Sequence, residues 1–196
     1  MPLSELLYAV GVLNADFEGF CQQLKPQVED LIHIIKDKPN VKIMEIGFNG
    51  GHSSEIFLEY NKTSTVVSFD IGYHDYVKYG KEYIDRAYPN RHTLIIGNSI
   101  DSIPKYKNET FDIIFIDGDH EYDTAIQDLK NCMRLANKDT IVILDDTVSS
   151  DEYHETWSIG PTKAWKEFKD KGLITEHNSK TYAKGRGMSW GKYIIN

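Results

Sequence analysis

The stretch VKIMEIGFNGGHSS, residues 41–54, decides the fold of this chain. Its apolar part, Val41–Ile46, predicts a short strand, the following glycines predict a tight turn, and Ser53 predicts the start of a helix. A strand that enters a helix through glycines brings backbone N–H groups and a helix N-terminus to one point, where a polar or anionic ligand can bind. Many tight turns need glycine for steric reasons alone, so this interpretation depends on the rest of the chain.

Four more apolar runs of strand length follow, and segments that can form helices separate them. The predicted strands are Val41–Ile46, Thr65–Phe69, Thr93–Ile96, Phe111–Ile116 and Thr140–Leu144, and the predicted helices are Ser53–Tyr60, Tyr76–Ala87, Ser99–Tyr106 and Tyr122–Leu135. Strands that alternate with helices imply right-handed βαβ units and a parallel sheet. Most of these runs are continuously apolar, which is typical of strands buried on both faces.

The two ends of the chain have a different pattern from this core. Met1–Lys38 predicts one or two amphipathic helices. Residues 147–160 are polar and without a clear period, Pro161–Asp170 predicts a helix that begins at its proline, and residues 137–139 predict a turn. The last two predicted strands, Leu173–Tyr182 and Met188–Ile195, flank a turn at 184–187 and form an antiparallel hairpin. We expect a single domain over residues 1–196: N-terminal helices to residue 40, a ligand-binding core at 41–146, and a lid loop, helix and hairpin at 147–196.

Composition limits the classes of function. The 196 residues carry a net charge of −8, which argues against nucleic acid as the main partner because phosphate binding needs clustered Lys and Arg. No apolar run reaches the roughly 18 residues of a membrane span, and the N-terminus lacks the basic region of a secretion signal. Cys21 and Cys132 match no ligand spacing, and we expect buried, reduced thiols. We therefore expect a cytoplasmic protein with no membrane partner; a homo-oligomer is left open.

Polar residues follow every predicted strand of the core, and in a parallel sheet these strand ends meet at one edge, where ligands bind. They are Glu45 and Gly47, Asp70, Asn98 and Ser99, Asp117 to His120, and Asp145 and Asp146. A carboxylate at Asp70 is placed to accept hydrogen bonds from ribose hydroxyls. The glycine turn departs from the dinucleotide fingerprint and lacks the Lys and Ser/Thr of a P-loop, so it favours a nucleoside ligand without phosphates, such as S-adenosylmethionine.

Two motifs carry a family resemblance over roughly Val41–Asp146. Glu45-Ile46-Gly47-x-x-x-Gly51-x-Ser53 resembles the first motif of class I S-adenosylmethionine-dependent methyltransferases, and residues 115–122, FIDGDHEY, resemble the fourth-strand signature of a subgroup. That subgroup contains metal-dependent small-molecule and sugar O-methyltransferases and cephalosporin-hydroxylase-like proteins. The resemblance implies a Rossmann-like α/β sandwich, with a mostly parallel seven-stranded sheet, a C-terminal antiparallel hairpin and helices on both faces.

The resemblance also assigns the cofactor site. It implies that Glu45, Gly47, Gly51 and Ser53 line the methionine part of S-adenosylmethionine and that Asp70 holds the ribose. Asn98 and Ser99 would border the adenine, and Asn49 and Asp117 are expected in the same site. The acceptor is expected to be a hydroxyl of a small molecule or sugar.

A metal site is expected beside the cofactor. Asp117, Asp145 and Asp146 end adjacent strands, and three converging carboxylates raise one another's pKa values unless a cation neutralises them. Oxygen ligands select hard ions such as Mg²⁺. In metal-dependent O-methyltransferases the matching positions bind Mg²⁺ or a similar ion, although the third ligand there is often Asn rather than an acid such as Asp146. Caps and solvated loop acids without a metal are the alternative.

The transfer also needs a proton acceptor, and His120 is the candidate. It follows Asp117 by three residues, its ordinary pKa of about 6.5 suits a general base, and a basic residue at this spacing has that role in the family that the motifs resemble. His120 could instead orient Asp119 or cap the next helix, and the roles of Asp119, His52 and the 147–160 loop stay open. Two alternative functions remain as well: a metal-independent methyltransferase, and an inactive cofactor-binding protein that acts through interactions.

Overall fold

The computed structural model describes residues 3–9, 21–107 and 109–195. Within those ranges the helices are α1 (Leu3–Ala9), α2 (Lys25–Ile35), α3 (His52–Tyr60), α4 (Val77–Ala87), α5 (Ser99–Lys105), α6 (Tyr122–Met133) and α7 (Thr156–Asp170), with 3₁₀ turns at Cys21–Gln23 and Asp151–Tyr153. The strands are β1 (Lys42–Ile46), β2 (Thr65–Asp70), β3 (His92–Ile96), β4 (Phe111–Ile116), β5 (Ala136–Asp145), β6 (Ile174–Ala183) and β7 (Arg186–Tyr193).

The strands form one seven-stranded sheet in the order β3-β2-β1-β4-β5-β7-β6. The first five strands are parallel, and β7 runs antiparallel both to β5 and to β6. The predicted parallel sheet with a terminal antiparallel hairpin is therefore confirmed. The strand order reverses direction around β1 and β4, which is where open α/β sheets bind ligands.

Two apolar clusters cover the two faces of the sheet. Ile43 packs with α2, α3 and α4, while its neighbour Met44 packs with α6 and α7 on the other face. The pair Ile113 and Ile114 on β4 divides in the same way. Successive side chains of a strand point to opposite faces, so a central strand covered by helices on both sides is apolar at most positions. This explains why the strand runs in the sequence are continuous.

Three predicted boundaries are wrong. Helix α7 begins at Thr156 rather than at Pro161, because the backbone N–H of Glu155 donates to Ser158 Oγ at 3.0 Å and this cap starts the helix five residues earlier. Strand β5 begins at Ala136, so residues 137–139, predicted as a turn, lie inside it. The hairpin turn is shorter than predicted, since β6 ends at Ala183 and β7 starts at Arg186.

Of the N-terminal helices predicted over 1–38, α1 and α2 are present, and residues 10–20 lie outside the described residues. None of the helices in the described ranges combines the length and the apolar character that a membrane span requires.

Candidate functional site

A cleft of about 770 Å³ opens at the edge of the sheet where the parallel strands end. The loops after β1 to β5, the 3₁₀ turn at Cys21, the start of α7 and the start of β7 surround it. We call the part formed by Gly47, Asn49, Asp70, Asn98 and Ser99 the β1–β3 side. The part formed by Asp117, His120, Asp146, Trp157 and Arg186 is the β4–β7 side.

The glycine turn after β1 joins the two sides. Gly47 has φ +87°, and its N–H donates to the carbonyl of Phe69 at 2.8 Å. A Cβ atom at Gly47 would lie 1.8 Å from the carbonyl oxygen of Asp117. Only glycine allows this backbone conformation together with such a close approach. The glycine turn is therefore held against the end of β4, so the position of the β1–β3 side also fixes the position of the β4–β7 side.

Asp70 organises the β1–β3 side through backbone contacts. Its Oδ2 accepts from the N–H of Asn49 at 2.8 Å, and its Oδ1 accepts from the N–H of Gly72 at 2.7 Å. A carboxylate has about four acceptor positions, so further donors such as ribose hydroxyls can still bind. Asn98 lies beside it and caps α5, since its Oδ1 accepts from the N–H of Ile100 at 3.0 Å.

Glu45 lies beneath the β1–β3 side rather than in the cleft. Its side chain is fully buried and accepts hydrogen bonds from Ser53, from Ser54 at 2.6 Å and from Ser68 at 2.5 Å. Burial raises the pKa of Glu45, and the three hydroxyls partly offset this rise. Three residues that were expected against the cofactor are not among the described residues that line the cleft: Glu45, Gly51 and Ser53. They hold the start of α3 to β1 and β2.

The β4–β7 side brings three potential metal ligands together. One ligand atom from each of Asp117, His120 and Asp146 lies within 4.8 Å of the others. His120 Nε2 lies 3.0 Å from Asp146 Oδ2, and Asp146 itself adopts φ +53°. Burial, and then the neighbouring Asp146, raise the pKa of Asp117 to about 7. Two carboxylates and an imidazole this close together suit a divalent cation.

Asp145 lines the same cleft but is not a member of this group. Its Oδ1 accepts from Gln27 Nε2 at 2.7 Å, so one oxygen of the predicted ligand is directed towards α2. Burial raises its pKa well above the ordinary value, and the nearby Asp117 adds to this rise. The structure therefore brings together two of the three acids expected as ligands, Asp117 and Asp146. The third member of the group is His120 rather than Asp145.

Two residues whose roles were open have structural contacts. Asp119 lines the cleft and also contacts the start of α6, since its Oδ1 accepts from the N–H of Glu121 at 3.2 Å and its Oδ2 accepts from Thr124 Oγ1 at 2.9 Å. The imidazole of His52 is buried with its Nε2 3.2 Å from Ser4 Oγ, and burial lowers its pKa to about 4.

Cys21 and Arg186 are among the residues of the cleft that sequence reasoning missed. Arg186 reaches the site because β7 runs antiparallel to β5: Asp145 pairs with Met188, so the start of β7 lies beside the end of β5. The hairpin was predicted, and combining it with the sheet order would have placed Arg186 at this edge. The sequence pattern gives no comparable signal for Cys21. Trp157, from the polar stretch considered as a lid, lines the cleft and donates from Nε1 to the carbonyl of Gly185 at 2.9 Å.

Comparisons with known proteins agree with this architecture. Residues 44–147, more than half of the chain, match a family model described as a methyltransferase domain. A search among curated proteins finds no match.

Several solved structures share the fold at low sequence identity. An O-methyltransferase from Bacillus cereus in complex with SAH superposes with a TM-score of 0.74 at 20% identity, covering 97% of this chain and 90% of that one. The O-methyltransferase TomG from Streptomyces achromogenes, involved in tomaymycin synthesis and bound to SAM, gives 0.74 at 15% identity over 97% and 88%. The SAH-bound methyltransferase PaMTH1 of Podospora anserina gives 0.71 at 18% identity over 100% and 89%. At these identities the likeness concerns the fold.

Proposed function

The chain belongs to the methyltransferase domain family, and from that premise we propose that it is a metal-dependent O-methyltransferase acting on a small-molecule or sugar hydroxyl. The observation that carries this proposal is the group of Asp117, His120 and Asp146, in which two acids that could hold a cation and an imidazole that could take a proton have side-chain atoms within 4.8 Å of one another. It lies directly beside the glycine turn, since Gly47 packs against the carbonyl of Asp117. A cation site directly beside a nucleoside site suits methyl transfer to oxygen.

The β1–β3 side would bind S-adenosylmethionine. Asp70 would accept from the ribose hydroxyls, Asn98 and Ser99 would border the adenine, and Gly47 and Asn49 would contact the methionine part through the backbone. When bound, the cofactor would supply an electrophilic methyl group to the acceptor oxygen, and the electron pair of the sulfur–carbon bond would be left on sulfur.

The β4–β7 side would prepare the acceptor. Asp117 and Asp146 would hold a divalent cation, which supplies a Lewis acid that favours loss of the hydroxyl proton. His120 would take that proton. A neutral ring that donates from Nε2 to Asp146 Oδ2 accepts at Nδ1, and Asp146 then stabilises the imidazolium that results. Trp157 would cover the acceptor and limit the access of water.

A metal-independent methyltransferase is the second candidate, and one contact favours it. Arg186 Nε lies 3.7 Å from Asp146 Oδ1, so the chain itself supplies positive charge to the acids. Proximity and orientation of the two substrates would then provide the rate enhancement.

Metal-dependent thermal stabilisation, measured after EDTA treatment, tests the proposal. Mg²⁺ and Mn²⁺ should raise the melting temperature of the wild-type chain, because a ligand that binds only the native state stabilises it. The increase should disappear in Asp117→Asn and Asp146→Asn and persist in Asp101→Asn, a matched change at an exposed acid of α5. Asp145→Asn decides between the two ligand sets: a retained increase supports the group with His120.

Methyl transfer to a panel of catechols and sugars, with and without EDTA, completes the test. Turnover that EDTA abolishes and Mg²⁺ or Mn²⁺ restores is the expected result. Turnover that EDTA leaves unchanged would support the metal-independent candidate. Binding of S-adenosylhomocysteine without any turnover would support an inactive cofactor-binding protein.

A further inference from the structure

The cleft has an uneven distribution of charge. Five acids line it: Asp70, Asp117, Asp119, Asp145 and Asp146. Among the described residues, Arg186 is the one Lys or Arg in the lining, and residues 10–20 contain neither of these types. The anionic group of S-adenosylmethionine is the carboxylate of its methionine part, which the proposed function expects near Gly47 and Asn49 on the β1–β3 side. Arg186 lies on the β4–β7 side, so beyond its contact with Asp146 it is available to a second ligand.

The position of Arg186 is fixed by the backbone on both sides of it. Gly185, which precedes it, accepts from Trp157 Nε1 at 2.9 Å. Gly187, which follows it, accepts from the N–H of Thr147 at 3.2 Å, and a Cβ there would lie 2.2 Å from the carbonyl oxygen of Thr147. The start of β7 is thereby held to the loop after β5 and to the start of α7. Arg186, at the start of β7, therefore has its guanidinium on the β4–β7 side of the cleft.

Among the described residues, the guanidinium has two side-chain contacts, and both are long. Its Nε lies 3.7 Å from Asp146 Oδ1, and its Nη1 donates to Gln23 Oε1 over 3.4 Å. A formed charge-assisted hydrogen bond is about 2.7–2.9 Å long, so neither contact is a close pair. The side chain is 21% exposed and lines the cleft. Its planar fork of five N–H donors is suited to an oxyanion, which it can bind with two parallel hydrogen bonds.

We propose that the acceptor is a hydroxyl compound that also carries a carboxylate or phosphate group, and that Arg186 binds this anionic group while the hydroxyl lies at Asp117, His120 and Asp146. Arg186 and the potential metal ligands are neighbours, so the anion and the hydroxyl belong to one compact molecule. Trp157 also lines the cleft, and its Nε1 donates to the carbonyl of Gly185, the residue before Arg186. This inference rests on the proposed function, since it identifies the acceptor of that reaction.

Calorimetric titration with matched pairs of compounds tests the inference on the full chain saturated with S-adenosylhomocysteine and Mn²⁺. The pairs are 3,4-dihydroxybenzoate against 3,4-dihydroxybenzamide, glucuronate against glucose, and glucose 6-phosphate against glucose. At least one anionic compound should bind about tenfold or more tightly than its neutral counterpart, as expected for a hydrogen-bonded ion pair. The benzoate and glucuronate pairs report a carboxylate, and the glucose 6-phosphate pair reports a phosphate.

Variants of Arg186 assign the preference to this residue. Arg186→Met should bind the anionic compound about tenfold more weakly and its neutral counterpart within about twofold of the wild type. Arg186→Lys should keep part of the preference, because it retains the charge but loses the fork. Lys184→Met removes a positive charge from the same turn, where Lys184 pairs with Glu155 at 2.7 Å outside the cleft lining, and should bind every compound as the wild type does.

Three results would overturn the inference: equal or absent binding of both members in every pair, a preference that survives in Arg186→Met, or an equal loss for anionic and neutral compounds in that variant. The comparison within pairs on the wild-type chain needs no variant, so a poorly folding Arg186→Met does not remove the test. A chain that fails to bind S-adenosylhomocysteine contradicts the proposed function itself. A chain that binds it but does not distinguish the pairs contradicts only this inference.

Discussion

The two sides of the cleft are built by different means. On the β1–β3 side the ligand groups are backbone atoms and short polar side chains, and Asp70 is fixed by N–H groups of the loops that it joins. On the β4–β7 side the groups are charged, close together and partly buried, and the pKa of Asp117 rises to about 7. The first side is set by backbone geometry. The second depends on what neutralises its charge, and it is therefore where the chemistry and its regulation by pH and metal would be found.

His120→Gln should have the largest effect on activity. Removal of a general base typically lowers a rate by about 10²–10⁴-fold, and this residue is 45% exposed, so its loss should leave the fold intact. Affinity for S-adenosylhomocysteine should not change, because we propose that this ligand binds on the β1–β3 side. The measurement is single-turnover methyl transfer beside calorimetric titration of the cofactor product.

The same variant separates the two possible roles of His120. A base contributes to rate alone, so metal affinity should stay as in the wild type. A ligand contributes to metal affinity, and an imidazole ligand would favour Mn²⁺ over Mg²⁺. His177→Gln, at an exposed position of β6, is the control and should behave as the wild type in both measurements.

Gly47→Ala should disturb both sides at once. The residue has φ +87°, and the new Cβ would lie 1.8 Å from the carbonyl oxygen of Asp117. A left-handed conformation costs a non-glycine residue about 1–2 kcal/mol, and overpacking adds about 1–3 kcal/mol, so the free energy of unfolding should fall by about 3 kcal/mol. Binding of both S-adenosylhomocysteine and Mn²⁺ should weaken.

Gly172→Ala is the matched control for this change. Gly172 has φ +67°, but nothing lies within 4 Å of its added Cβ. It should therefore carry the conformational cost alone, about 1–2 kcal/mol. Equal losses in denaturant unfolding of the two variants would mean that the close approach at Asp117 contributes nothing.

The buried network beneath the β1–β3 side should make stability depend on pH. His92 Nε2 lies 2.9 Å from Ser68 Oγ, and burial, followed by the charge of Lys81 and opposed by Asp85, lowers the pKa of His92 to about 3. The unfolded chain takes up this proton near pH 6.5, whereas the native chain does not until about pH 3. The stabilisation from neutral His92 is therefore complete above pH 6.5 and is lost as the pH falls, by up to about 3 kcal/mol at pH 4.

Denaturant unfolding at pH 7, 5.5 and 4 measures this dependence. His92→Gln should lose less stability than the wild type over that range, because the amide does not titrate. His33→Gln, an exposed position on α2, should follow the wild-type curve. If His92→Gln also follows that curve, protonation of His92 does not contribute.

The difference between the two sides also determines what the sequence could predict. The β1–β3 side follows from local patterns: glycines after a strand, and an acid at the end of the next strand. Even there, the direction of the Glu45 side chain was not predictable. It depends on which face of β1 carries the residue, and on this face Glu45 meets a buried cluster of serines instead of the cleft. Boundaries failed where a local cap, such as that of Glu155 and Ser158, outweighed the proline signal.

The β4–β7 side depends on tertiary structure. Asp145 and Asp146 are adjacent in sequence and equally acidic, yet the contact with Gln27 on a distant helix directs one oxygen of Asp145 away from the group that Asp146 joins. Arg186 enters only through the antiparallel register of the last hairpin. The contact between Gln27 and Asp145 joins residues 118 positions apart and leaves no pattern in a single sequence, whereas Arg186 could have been placed from the predicted hairpin and the sheet order.

Trp157→Phe should have the smallest effect and shows whether the two sides act independently. The change keeps an aromatic ring but removes the donor to the carbonyl of Gly185, which costs about 1 kcal/mol for one hydrogen bond. The start of β7, which carries Arg186, would be held less firmly. The KM for the acceptor should therefore rise a few-fold, while the affinity for S-adenosylhomocysteine stays constant. Trp165→Phe is the control, since Trp165 donates to Glu176 outside the cleft and its loss should affect thermal stability alone. A change in cofactor affinity in Trp157→Phe would mean that the start of α7 couples the two sides and that they do not act independently.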